Sequence, residues 1–175
     1  MNYKRFFIQN SMVFITMVTY NRNPILLDYI QLLKDSFQYA KTKFQFKIYA
    51  IVILKEHLHI IIKPDEIANY PNIVKYIKTY FSRYIDIKNT NLSNEKKHKR
   101  EKGIWQSRYW AHIILDESDL NKHVDYIHFN PMKHYNIRPK DWNFSSFKNF
   151  VKNGYYDENW CNFEDKYNIL NLNLE

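Results

Sequence analysis

A single cysteine, Cys161, and two glycines in 175 residues are the sharpest scarcities in this chain, and each removes a class of function. One cysteine permits no internal disulfide, and no cysteine cluster of zinc-site spacing exists, so a reducing compartment is expected. There is no glycine-rich loop to cradle nucleotide phosphates. No apolar run approaches the roughly 20 residues of a membrane span. The N-terminus, Met1-Asn2-Tyr3-Lys4-Arg5-Phe6-Phe7, lacks the long apolar core and small-residue cleavage site of a secretory leader. A cytoplasmic protein with no membrane partner is the expectation. Internal repeats are missing too, as is any low-complexity tract beyond one polar stretch.

What is present suits one domain spanning residues 1–175. Hydrophobic residues make up 45% and aromatics 18% of the chain, enough for a core without staples. Lys and Arg number 26 against 18 Asp and Glu, a net charge of +8 that favours a polyanionic partner without choosing among DNA, RNA and an acidic membrane. The abundance of Asn, Ile, Lys and Tyr reflects AT-rich coding, which weakens arguments from lysine or tyrosine content alone.

Periodicity organises the chain. Ser11 to Tyr20, β-branched and aromatic, reads as a strand closed by Asn21-Arg22-Asn23-Pro24. From Pro24 to about Ala40, Leu26, Leu27, Ile30, Leu33 and Phe37 recur at helical spacing. Phe44 to Leu54 and His57 to Lys63 are two further strands, with Lys55-Glu56 as a turn or bulge between them. A second amphipathic helix runs from Asn72 to Ile87. Residues 88–103 are polar, Asn-rich and basic, a loop expected to be mobile. Ile104 to Leu115 resumes β character, and Ser118 is placed to cap a helix ending near Phe129, because Pro131 biases Asn130 out of the α region. A short packed tail is expected from about residue 139. The order β-α-β-β-α-β and a further helix is that of an α+β, ferredoxin-like (RRM-like) antiparallel sheet with helices on one face, plus an added C-terminal helix carrying Tyr126.

Chemistry concentrates in two places. Side chains alternate along a strand, so His57 and His59 point to one face and can hold one cation while Leu58 points the other way. On the third helix His123, Tyr126 and Asn130 share a face beside the apolar stripe Leu120, Val124 and Ile127. If that face meets the histidine pair, Asn130 Oδ1 joins His57 and His59 around a divalent metal and the Tyr126 hydroxyl lies alongside. Phosphodiester cleavage needs a nucleophile and a stabiliser of charge on the non-bridging oxygens, and neutral ligands leave the cation its full charge for the second task. A phosphotyrosine conserves bond energy, so a free hydroxyl can later reverse the step without ATP.

These residues resemble the HUH-type tyrosine transposases of the insertion-sequence-200 kind, in the branch associated with repetitive extragenic palindromes (REP). The resemblance covers most of the chain. It rests on His57-Leu58-His59, on Gly103 to His112 (Gly-Ile-Trp-Gln-Ser-Arg-Tyr-Trp-Ala-His), on Asp119 to His134 with Tyr126-Ile127-His128-Phe129-Asn130-Pro131, and on Asp141-Trp142 with Ser145-Ser146-Phe147. It implies that His57, His59 and Asn130 hold Mg²⁺ or Mn²⁺ and that Tyr126 is the nucleophile. It also implies a 5′-phosphotyrosine intermediate on single-stranded DNA with a hairpin beside the cleavage site, in a bacterial cytoplasm at the nucleoid, by a monomer or homodimer. Lys55 stands where the family usually has proline, and Tyr135-Asn136 replaces a glycine-containing turn. The rival readings are a non-catalytic nucleic-acid-binding module of the same fold and a rolling-circle replication initiator or relaxase.

Several residues carry two readings. His123, His128 and His134 read first as helix-surface or capping residues. Trp105, Arg108, Tyr109 and Trp110 could stack on bases and bind phosphate, yet an aromatic-rich strand is as easily core. Lys133 is a further candidate DNA contact. The run Lys96-Lys97-His98-Lys99-Arg100 either grips a DNA backbone or is simply solvated.

Overall fold

Two strands buried on both faces decide the architecture. In the computed structural model, which describes residues 11–86 and 103–161, β1 (Val13–Val18) and β3 (His57–Pro64) are buried on both faces and lie side by side at the centre of a four-stranded sheet. The sheet order is β2-β3-β1-β4, with β2 at Phe46–Ile53 and β4 at Trp110–Ile113, and every neighbouring pair is antiparallel. Strands covered on both sides lose the usual apolar-polar alternation, which is why Ile60, Ile61 and Ile62 run together.

Val13, Ile15 and Met17 with Leu58, Ile60 and Ile62 face α1 (Ile30–Lys41) and α2 (Tyr70–Tyr84), packing on Leu33, Phe37, Ile73, Ile77 and Phe81. The opposite face, through Phe14, Ala50, Val52 and Ile61, is covered by α3 (Glu117–Tyr135) and by α4 (Phe147–Lys152), with Val124, Ile127, Phe129, Trp142 and Phe147 buried there. The ferredoxin-like α+β sheet therefore has its two crossover helices on one face and the added tyrosine-bearing helix on the other. A bulge between Ile48 and Ala50 reverses the parity of β2, so that Phe46 joins the first layer while Ala50 and Val52 join the second.

Long-range contacts move several element ends away from where periodicity puts them. α1 begins at Ile30 and not at Pro24, because the Leu26 N–H donates to Lys55 O at 2.9 Å and ties residues 25–29 to the β2–β3 turn. Only Trp110–Ile113 of the expected strand from Ile104 to Leu115 joins the ladder. The residues before it fold over the end of β1, where the Gln106 N–H donates to Val18 O at 2.9 Å and Lys78 Nζ donates to Gln106 O at 2.6 Å. Asp116 caps α3 in place of Ser118, its Oδ1 accepting from the Asp119 N–H at 2.8 Å.

The largest difference concerns the end of α3. The helix passes through Pro131 to Tyr135 and stops at Asn136, which adopts a left-handed conformation with φ of 55°. Proline removes one helical hydrogen bond, and packing of Met132, Tyr135 and Ile137 in the second layer outweighs that loss. Residues 142–146 lie along the outer strand. The Ser146 N–H donates to Ile51 O at 2.9 Å, the Ile53 N–H to Phe144 O at 2.8 Å and Trp142 Nε1 to Ile53 O at 3.0 Å, so the tail covers the β2 edge. The loop expected at 88–103 lies outside the described residues except for Gly103. Among the described residues no helix is long and apolar enough to cross a membrane.

His123 and His128 are interior residues, not surface or capping ones. His128 shares hydrogen bonds with Ser146 Oγ at 2.8 Å and Tyr156 Oη at 3.3 Å. Burial pushes its imidazole from an ordinary 6.5 down to about 3. The folded state thus holds His128 neutral where the unfolded chain would protonate it. Its contribution to stability is complete above about pH 6.5 and is lost as pH falls towards 3, by up to about 1.4 kcal/mol per unit. Urea unfolding at pH 7, 6 and 5 with chelator present is expected to show that decline, and His128→Gln is expected to flatten it. An equal slope in the variant would assign the acid sensitivity to other groups.

Candidate active site

Register places the paired histidines. His59 stands opposite Thr16 on β1 and Val52 on β2, and His57 opposite Val18, both on the face that α3 covers. Their exposures are 1% for His57 and 0% for His59. Thr16 Oγ1 and His59 Nδ1 share a hydrogen bond of 2.8 Å, and His57 Nδ1–H donates to Glu56 Oε1 at 3.0 Å. With Nδ1 of each ring committed, Nε2 is the nitrogen each can offer a metal, and the partners on Nδ1 fix the rings. The ring centroids are 5.0 Å apart and nearly perpendicular, at 84°. Burial holds the His59 imidazole well below its ordinary range, reinforced by His57, Lys133 and His134 and opposed by a hydrogen bond with Asn130. That leaves the neutral, ligating form.

α3 brings the rest. Asn130 Nδ2 donates to Tyr126 O at 2.8 Å, which settles the amide orientation and makes the buried Oδ1 the atom Asn130 offers. The Tyr126 ring lies 5.1 Å from the His59 ring, edge-on, and is 1% exposed. Two turns along the helix, Lys133 Nζ donates to Tyr126 Oη at 3.1 Å and stands 4.9 Å above the same ring. His57, His59, Tyr126, Asn130 and Lys133 are therefore gathered into one place. Two imidazole nitrogens and an amide oxygen suit a divalent ion, and all three residues are buried.

His134 joins this group although its sequence reading was a surface or capping role. Its ring lies 4.8 Å from that of His57, and Glu56, His57 and His134 offer ligand atoms all within 4.8 Å of one another. The signal was available, since Tyr126, Asn130 and His134 are spaced i, i+4, i+8, but an expected helix end at Phe129 hid it.

The tryptophan-rich segment divides. Trp105 is core at 7% exposure, its ring 5.3 Å from that of Phe81 beneath α2, with little face left to stack a base. Arg108 is exposed and, with Arg22, Gln106, Tyr109 and Trp110, lines a cleft of about 380 Å³ that reaches His57 and Thr16. The departures at Lys55 and Tyr135 touch each other. The Lys55 N–H, which a proline would lack, donates to Tyr135 Oη at 3.1 Å; that hydroxyl donates to Glu56 Oε2 at 3.1 Å, and Lys55 Nζ lies 5.3 Å over the Tyr135 ring. Asn136 takes the left-handed position that a glycine turn would fill.

The family model described as "Transposase IS200 like" matches residues 7–130, a span that includes His57, His59, Tyr126 and Asn130. The chain belongs to the IS200-like transposases. Within them it falls in the REP-associated tyrosine transposase branch. It is similar to a protein of Haemophilus influenzae strain Rd that carries this name, with 36% identity over 162 residues covering 91% of this chain and 92% of the other. It is also similar to the REP-associated tyrosine transposase of Escherichia coli K12, with 32% identity covering 91% and 90%. A solved REP-associated tyrosine transposase bound to a REP hairpin superposes with a TM-score of 0.74 at 30% identity, covering 93% of this chain and 92% of that one.

Within this transposase the Thr16–His59 hydrogen bond is the clearest structural support of the histidine pair. Thr16→Val keeps the shape but leaves a buried ring nitrogen without its partner, and is expected to lower stability by about 1–3 kcal/mol in urea unfolding. An unchanged midpoint would show that the hydroxyl does not hold the ring.

Proposed function

We propose that this transposase cuts and rejoins single-stranded DNA beside a hairpin, with Tyr126 as nucleophile and a 5′-phosphotyrosine intermediate. The observation that carries the reading is that Tyr126 has its ring against the ring of the buried His59 and its hydroxyl on a lysine ammonium. His57 and His59 through Nε2, and Asn130 through Oδ1, would hold the ion, Mg²⁺ or Mn²⁺. Such an ion supplies Lewis-acid stabilisation of the charge on the non-bridging phosphate oxygens.

The residues of the chain do the rest. Tyr126 Oη forms the bond to phosphorus as the bond to the 3′ oxygen of the preceding nucleotide breaks; the phenolic proton leaves to solvent and the departing oxygen takes up another. The Lys133 ammonium offsets negative charge on Oη as the proton departs and reforms that contact when the released 3′ hydroxyl attacks in reverse. Because Tyr126 is 1% exposed, entry of the phosphodiester requires Lys133, half-buried over its hydroxyl, to move aside. Arg22 and Arg108 would meet phosphates, and Tyr109 and Trp110 bases, along the cleft that reaches His57. The solved relative in complex with a REP hairpin supports a hairpin as the DNA partner.

With Mg²⁺ or Mn²⁺ and a hairpin oligonucleotide bearing a single-stranded flank, a covalent protein–DNA product is expected. Tyr126→Phe is expected to abolish it and retain hairpin binding. His57→Ala is expected to abolish it, Asn130→Ala to reduce it, and Lys133→Met to slow its formation by roughly 10²–10³. Annealing a complement to the flank is expected to suppress cleavage, because a duplex denies in-line approach to one phosphate. Equal rates on single-stranded and annealed flanks would contradict the single-strand reading.

A further inference from the structure

We propose that His112, Asp119 and His123 form a second metal site, for a first-row transition ion of the zinc class, joining the sheet edge to the helix that bears Tyr126. The three come from two elements. His112 lies on β4 opposite Phe14, Asp119 in the first turn of α3 and His123 one turn further on. Asp119 Oδ2 accepts from His112 Nε2–H at 2.7 Å, Asp119 Oδ1 lies 3.0 Å from His123 Nδ1, and the two imidazoles stack at 4.7 Å and 12°. One ligand atom from each residue falls within 4.8 Å of the others. Bonds of about 2.0–2.2 Å to a tetrahedral ion set ligand atoms roughly 3.3 Å apart, so the three side chains would close in by up to about 1.5 Å from their 4.8 Å limit to hold one.

Donor type and charge point the same way. Two imidazoles and one carboxylate favour Zn²⁺ or Co²⁺ over Mg²⁺ and Ca²⁺, which prefer all-oxygen sites. Burial keeps His123 neutral in spite of its hydrogen bonds to Asp119. Burial would raise the Asp119 carboxyl, but hydrogen bonds from His112 and the Leu115 N–H hold it below the usual range. Both therefore stand in the protonation states that ligation needs. On binding, each imidazole keeps one proton, moved to the nitrogen facing away from the ion. His123 Nδ1 lies 2.8 Å from the Asp119 backbone carbonyl oxygen, a hydrogen bond that ion binding would replace. The His112 and Asp119 side chains are 30% and 19% exposed, which leaves an entry path and room for water in the remaining positions. Asp116 and Glu117 beside them add negative charge to this patch of a chain whose net charge is +8.

The site is distinct from the His57/His59 pair. The Phe14 ring stands between them, 5.6 Å from His59 and 4.8 Å from His123. Tyr126 follows His123 by three residues, so an ion here would hold the first half of the nucleophile's helix against β4.

The test uses a His57→Ala/His59→Ala variant, from which the first site has been removed, titrated with Co²⁺ and Zn²⁺. One equivalent of ion, a visible Co²⁺ absorption band and a higher melting temperature with Zn²⁺ but not Mg²⁺ are expected. Adding His112→Ala or Asp119→Asn is expected to lower the affinity by more than about 10-fold. No Co²⁺ band in the double variant, or binding that survives both further substitutions, would overturn the proposal. Should the double variant fail to fold, anomalous scattering from crystals of the unaltered chain soaked in Zn²⁺ decides. A peak among His112, Asp119 and His123 supports the site, and its absence there refutes it.

Discussion

The β1–β3 ladder, in the register that sets Thr16 against His59, is the constraint on which the rest depends. A slip of one residue would turn His57 and His59 into the layer beneath α1 and α2, which is filled by aliphatic and aromatic side chains. Buried there, imidazoles without polar partners would each cost several kcal/mol. In the observed register the same slip is opposed from both sides, since Leu58, Ile60 and Ile62 fill the first layer while Thr16 and Glu56 supply hydrogen bonds to the histidines in the second.

The second layer differs in kind from the first. α3 turns His123, Tyr126, His128 and Asn130 inward along with Val124 and Ile127, and each polar group among the first four has a contact: Asp119, Lys133, Ser146 and the Tyr126 carbonyl respectively. Such a layer holds only if its partners are themselves held. The tail provides this, as Trp142 and Ser146 bond to β2 and Tyr156 Oη donates to Asp125 Oδ1 at 2.6 Å, next to the proposed nucleophile. Stability and the proposed chemistry share these residues, so substitutions in the tail should be read for both.

Much of this was legible from residues alone. The apolar, β-prone runs that become β1 and β3 and the helical stripes of α1 and α2 lead to the ferredoxin-like order, and His57, His59, Tyr126 and Asn130 are expected to meet and do. What escaped depended on contacts distant in sequence. The start of α1 follows from a bond to Lys55, the shortening of β4 from bonds to Val18 and Lys78, and the passage of α3 through Pro131 from packing that a local proline rule cannot see. That last error concealed His134. Burial of His123 and His128 was likewise unreadable, because a helix lined with polar side chains on its inner face lacks the clean apolar period that marks a buried side.

The central claim is that Tyr126 alone becomes covalently joined to DNA, and one measurement addresses it directly. Trypsin, cutting after Lys122 and Lys133, releases a peptide of residues 123–133 in which Tyr126 is the single tyrosine. After reaction with a hairpin oligonucleotide and trimming of the DNA, mass spectrometry is expected to find that peptide carrying a 5′-linked nucleotide on Tyr126. A nucleotide on any other peptide, or unmodified residues 123–133 in a sample where strand cleavage has occurred, would contradict the account.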